Sequence, residues 1–229
     1  MENIVDAISL IEQNKKLKIL LYKLKIDIEK YKKYYEIEKE KSLKQEFDLL
    51  NIFDISNELA QQHNPENICK IIYYFILGHF NFKPILLVDY NKNTMQDYFK
   101  IDLFFGIPSS KLSGDRIQVS GDELQLLNEK SELFKIDSNL PLDLIDEPVF
   151  FNELKKINIT YLLPITNKNN RKIILLLGDK RDNSELDAKE ISILKVLRNS
   201  TVISLDNASL IMELDQKNIK LSKNLGLVS

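Results

Sequence analysis

Residues Tyr161–Lys180 read YLLPITNKNNRKIILLLGDK. Two apolar runs flank the polar tip NKNN, Asn167–Asn170. Asparagine tolerates positive φ, so this tip suits a tight connection between neighbouring strands. Pro164 lies inside the first run and has no N–H for a ladder. It is therefore expected where the adjacent strand needs no donor.

Working outward, Ser184 opens a long amphipathic helix that runs past Ile219. Upstream, HNPENICKIIYYFILGHF places Asn64 as N-cap, Pro65 at the first helical position and Glu66 in the first turn of an apolar helix. KPILLVDY (Lys83–Tyr90) reads as a buried strand and DYFKIDLFFG (Asp97–Gly106) as an alternating one, joined by the polar NKNTMQ. RIQV (Arg116–Val119) and ELFKI (Glu132–Ile136) predict short strands, ELQLLNEK and FFNELKKIN short helices, and Asp137–Pro148 a loop. Strands joined by short turns imply antiparallel pairing. The predicted fold class is α+β: an antiparallel sheet with helices on both sides, preceded by a long coiled-coil helix.

The arm carries its own pattern. Leu10, Leu17, Leu24 and Tyr31 fall seven apart, and Asn14, Leu21, Ile28 and Tyr35 follow each of them by four. These are d and a positions of a heptad, and leucine at d with one asparagine at a suits a parallel two-stranded coil of fixed register. Lys18, Lys25 and Lys32 occupy e. The regular part extends ~39 Å at 1.5 Å per residue. The competing reading is an amphipathic helix folded back on its own domain. Residues 15–44 hold eleven lysines against five acids and no arginine, which fits a solvated coil exterior better than a nucleic-acid or membrane surface. The expected organisation is a coiled coil over 1–46, a domain over 47–212 and a helical extension over 213–229. The expected partner is a second copy of the chain in a parallel homodimer, with no nucleic acid and no membrane.

The 229 residues carry 32 basic and 34 acidic side chains, a balance unlike that of a dedicated polyanion binder. The single cysteine, Cys69, excludes a disulfide framework and suits a reducing compartment. No run is long and apolar enough to span a bilayer, and the N-terminus lacks a signal-peptide layout, so a cytoplasmic location is expected. His63 and His79 share no ligand spacing with Cys69, and the chain has neither a Walker loop nor GxGxxG. No catalytic residue, metal ligand or cofactor is assigned. Cys69 and His79 read as packed helix residues.

YLLPITNKNNRKIILLLGDK followed by ELDAKEISILKVLRNSTVISLDNASL resembles the C-terminal half of a GAF domain, with Leu162–Ile165 and Asp206–Leu210 at the matching places. FDISNELAQQHNPENICKIIYYFI resembles the entry helices of bacterial GAF modules, and the similarity covers Phe47–Met212. The resemblance implies a non-catalytic sensory or regulatory module that binds a small ligand, with a signalling enzyme such as a diguanylate cyclase downstream in a longer chain. It also implies a ligand site between the sheet and the middle segment, Phe104–Asn158. There Arg116 and Lys135 offer cations, Ile117 lies beside Arg116, and Phe104, Phe105, Phe150 and Phe151 offer rings. On strand alternation Lys100, Asp102 and Phe104 share one face, as do Thr160, Leu162 and Pro164. Either the first set lines a polar pocket, or it faces solvent with Ile101, Leu103 and Phe105 buried. The expected ligand is a cyclic nucleotide such as cAMP or cGMP. Of the Asn-Lys…Phe…Asp-Glu signature of cyclic-nucleotide GAF domains only Lys180 is kept outright, with Glu190 at the Asp position. The alternative is a ligand-free scaffold for dimerisation or partner docking.

Overall fold

The computed structural model describes residues 2–91, 97–112, 114–136, 140, 145, 148–168 and 171–224, with side chains described from Asn14 onward except at residues 91, 109, 171, 223 and 224. The tip residues Asn169 and Asn170, most of the NKNTMQ link and most of the 137–148 loop lie outside the described residues.

The chain divides into two compact units, Met1–Asn51 and Ile52–Ser229. The described residues of the first all lie within helix α1 (Glu2–Gln61). No Pro or Gly interrupts it, as helix propensity requires. The second begins with the end of α1 and continues through α2 (Pro65–His79), β1 (Phe82–Asn91), β2 (Tyr98–Phe105), a 3-10 turn (Ser109–Lys111) and β3 (Arg116–Gln118). Then come α3 (Gly121–Glu129), β4 (Phe134–Lys135), α4 (Val149–Lys156), β5 (Ile159–Thr166), β6 (Arg171–Lys180) and α5 (Ala188–Asn224). Helix α5 runs unbroken across residue 212. The N-cap of α2 forms as the sequence predicts, with Asn64 Oδ1 accepting from Glu66 N at 2.8 Å.

The six strands form one antiparallel sheet in the order β3-β2-β1-β6-β5-β4. Alternation along the central strands sends side chains to two separate cores. Ile85, Leu87, Leu163, Ile173, Leu175 and Leu177 pack under α2, α5 and the end of α1. Leu86, Val88, Leu162, Ile174 and Leu176 pack on the opposite face with α3 and α4. Helices on both sides of an antiparallel sheet are the fold class that the sequence predicts.

Strand β2 departs from simple alternation. Leu103 pairs with Leu87 and Ile101 with Val88, which leaves Asp102 as an extra, bulged residue. The bulge moves the following side chains to the other face. Leu103 therefore joins the α2–α5 core while Ile101 joins the α3–α4 core, and Phe104, opposite Leu86, is on the face away from Lys100 and Asp102. The alternation expected for Lys100, Asp102 and Phe104 is corrected accordingly. Phe105 is also exposed, contrary to the alternative that buries it.

Pro164 sits in β5 two residues beyond the end of the β4 pairing at Leu162. Its carbonyl accepts from Arg198 Nε at 3.1 Å, so the strand edge without a neighbour is closed by α5. At the other end of the hairpin, Gly178 packs against Pro84: a Cβ on Gly178 would fall 2.5 Å from Pro84 N. Gly178→Ala is expected to destabilise the domain by about 1–3 kcal/mol through overpacking. A lowered urea midpoint with an unchanged m-value checks this; an unchanged midpoint contradicts it.

Candidate functional site

The eight residues proposed from sequence for a ligand site do not converge. Lys100 and Asp102 line one cavity of about 280 Å³ with Glu66, Cys69 and Lys70 of α2 and Asp89 of β1. Their side chains form an ion pair at 3.1 Å. The hydrogen bond to Asp102 and its charge hold the Lys100 ammonium above its ordinary pKa. Three carboxylates and two ammoniums bound this cavity, so its balance disfavours a phosphate. Arg116 pairs across the strand from Lys100. Its guanidinium lies 4.4 Å from the centroid of the Tyr98 ring and 3.6 Å from Asp115 Oδ1.

Ile117, Phe150 and Leu162 lie on the opposite face of the sheet, all in the α3–α4 core. Phe150 is fully buried, 5.0 Å from the ring of Phe99 and 5.6 Å from that of Phe151. These rings fill the space where the resemblance places a stacked base. A second cavity of about 280 Å³ remains at the edge of that core, between β3 and α4, with Lys111, Asp115, Ile117, Val149, Glu153 and Ile157 among its walls. Phe104 is half exposed. Lys135 is engaged by Glu185 at 3.0 Å and lies over Tyr161. Thr160 belongs to a third place, where its Oγ1 donates to Asp179 Oδ1 at 2.7 Å.

Two buried ionisable side chains hold the α3–α4 layer in place. The carboxylates Asp122–Glu123 read from sequence as a helix start, as found, but the reach of Glu123 to α4 and the role of Lys172 do not. Glu123 is fully buried. It accepts from Ser120 N at 2.9 Å, completing the capping box of α3, and from Phe150 N and Phe151 N at 3.1 and 3.0 Å. One carboxylate thus caps two helices and meets both of their positive ends. Ser120-x-x-Glu123 is a capping-box pattern in the sequence; its second partner is visible only in three dimensions. Lys172 is the other. It donates to Leu127 O and Asn128 Oδ1 at 2.5 and 2.7 Å, at the C-terminal end of α3, and burial pushes its pKa down to about 8. A lysine entering an Ile/Leu run was its only signal.

Lys180 and Glu190, the positions that correspond to the cyclic-nucleotide signature, form an ion pair at 2.8 Å. Glu190 also completes a reciprocal cap with Asp187 at the start of α5, Asp187 N to Glu190 Oε2 at 3.0 Å and Glu190 N to Asp187 Oδ1 at 2.7 Å. The pair ties the end of β6 to α5. Among the described residues no group of three or more His, Cys, Asp or Glu is placed to hold a metal ion, and no helix is long and apolar enough to cross a membrane. Cys69 is buried, and His79 is partly buried and stacks on Phe75 at 5.1 Å.

The heptad residues of α1 stand in the open. Leu17, Leu21, Leu24, Ile28, Tyr31 and Tyr35 are each at least half exposed, from 50% to 75%, and Asn14 is exposed among them. The side chain of Leu10 is outside the described residues.

No protein-family model matches the sequence, and no curated protein matches it. Solved structures do match by fold. A segment of a methyl-accepting chemotaxis protein aligns with a TM-score of 0.52 at 10% identity, over 69% of this chain and 98% of that one. A GAF domain assigned to a sensor histidine kinase of Pseudomonas syringae pv. tomato aligns at 0.50 and 17% identity, over 77% and 97%. The GAF domain of a phosphoenolpyruvate-protein phosphotransferase of Coxiella burnetii aligns at 0.50 and 15%, over 72% and 96%. At these identities the likeness defines the fold. The chain has a GAF-like fold, as the resemblance read from Tyr161–Leu210 implies.

Proposed function

We propose that the chain is a non-catalytic signal-input module: a GAF-like domain on a helix that pairs with a second copy in parallel. The observation that carries this reading is the open seam on α1, where six apolar a and d side chains are each at least half exposed. Apolar side chains left open at heptad spacing over that length call for a partner surface, and the spacing selects another helix. Asn14 among these residues fits a register-fixing a position. A ligand with unequal affinity for two arrangements of the domain biases them, and paired helices carry that bias outward as a change in phase or spacing.

Light scattering on the full chain at micromolar concentration is expected to give a dimer. Leu21→Lys with Ile28→Lys places like charges across the seam and is expected to give a monomer whose domain still unfolds cooperatively. A monomeric wild type contradicts the reading.

For the ligand, cyclic nucleotides are the first candidates, supported by the GAF-like fold, although of their signature only Lys180 is kept and it is engaged by Glu190. The packing of Phe150 and Phe151 favours the second reading, a ligand-free scaffold. Thermal unfolding with cAMP or cGMP separates the two. A ligand at 100 times its Kd is expected to add about 2.7 kcal/mol of stability. No shift with either nucleotide contradicts the cyclic-nucleotide reading.

A further inference from the structure

The lower end of the sheet holds an open cleft of about 740 Å³, where the start of β1, the end of β6 and the turn from α4 into β5 come together. Lys83, Lys155 and Arg181 line it, with Asp179 as a carboxylate in its wall. Lys180 lines it too, but its ammonium is engaged by Glu190 at 2.8 Å. Among the described residues neither Lys83 nor Lys155 has an ion-pair partner, and Arg181 stacks its guanidinium 5.7 Å from the Phe105 ring without a carboxylate. Three cations against one carboxylate leave the cleft with an excess of two positive charges. The chain as a whole carries net charge −2, so the excess is local.

The cations are placed by the fold. Gly106 has φ +79°, and a Cβ there would come 2.8 Å from Lys83 Cγ, so the missing side chain makes room for the lysine stem. Arg181 N donates to Asn81 O at 3.1 Å, which fixes Arg181 beside the entry to β1. Lys155 lies in the last turn of α4. Asp179 is oriented by Thr160 Oγ1. Neither Lys83, Lys155 nor Arg181 takes part in the cores, and the α1 seam does not involve them.

We propose that this cleft binds the diphosphate group of a small organic phosphate. A volume above that of a single phosphate, two excess positive charges and one guanidinium able to fork across two oxygens match that group. The cyclic nucleotides considered above carry a singly charged phosphodiester and use less of this charge. The proposal stands apart from dimerisation and from the cyclic-nucleotide reading.

Isothermal titration of the full chain with inorganic pyrophosphate, orthophosphate and sulfate tests it. Pyrophosphate is expected to bind measurably and more tightly than either other anion. Arg181→Gln and Lys83→Gln are each expected to weaken it by about 10-fold or more, since each removes a charge-assisted contact. Lys111→Gln, at the separate cavity between β3 and α4, is expected to leave it unchanged. Chemical shifts of the wild type supply a second readout that needs no variant, with pyrophosphate moving the Asn158, Thr160 and Arg181 amides and leaving Ile117 in place. No binding to the wild type, equal binding of sulfate, or equal loss in Lys111→Gln overturns the proposal. It can fail while cAMP or cGMP still stabilises the chain, and the reverse holds too.

Discussion

Strand β6 is hydrogen-bonded along both edges, to β1 and to β5, and five consecutive residues, Ile173–Leu177, are buried. A strand with both edges paired and both faces apolar needs cover on each side of its sheet. That need places α2 and α5 on one face and α3 and α4 on the other, and it divides the interior into two cores. Each of these side chains contributes about 1.5–3 kcal/mol relative to exposure. Removing the α2–α5 layer would expose three of them at once, and removing the α3–α4 layer the other two.

The α3–α4 layer is the thinner cover, with helices of 9 and 8 residues, too short to persist alone. It is held by charge as well as by apolar packing. Glu123 accepts from three backbone N–H groups of two elements, and Lys172 donates to the far end of α3. The two side chains therefore meet α3 at opposite poles of its dipole, the carboxylate at the positive end and the ammonium at the negative. The face they close is packed with phenylalanine rings. The charged cavity beside α2 and the cationic cleft at the lower end both lie where strands end or bulge.

Much of this was legible in the order of the residues. YLLPIT and RKIILLLGDK specify the hairpin at the centre of the sheet, and Asn64-Pro65-Glu66 specifies the start of α2. The heptad of α1 is written plainly, and its a and d side chains stand exposed. The candidate site was far less legible. Strict alternation placed Phe104 with Lys100 and Asp102, but the bulge at Asp102 depends on which residue of β1 each residue of β2 meets, and sequence does not state register. Phe150 offered a ring for stacking and instead became core, because α4 turns it onto Phe99. Lys83, Lys155 and Arg181 are far apart in the chain and resemble any surface cations until the sheet brings their ends together. Gly106, which seats Lys83, reads in isolation as an ordinary strand terminator.

Amide hydrogen exchange across the whole chain tests most directly whether two-sided burial of β6 organises the domain. Ile174, Leu175 and Leu176, with their partners Leu86–Val88 on β1, are predicted to exchange only through global unfolding. Arg116–Gln118 of the edge strand β3 is predicted to open separately and exchange far faster. Exchange of the β6 amides at the rate of those in β3 would contradict the account.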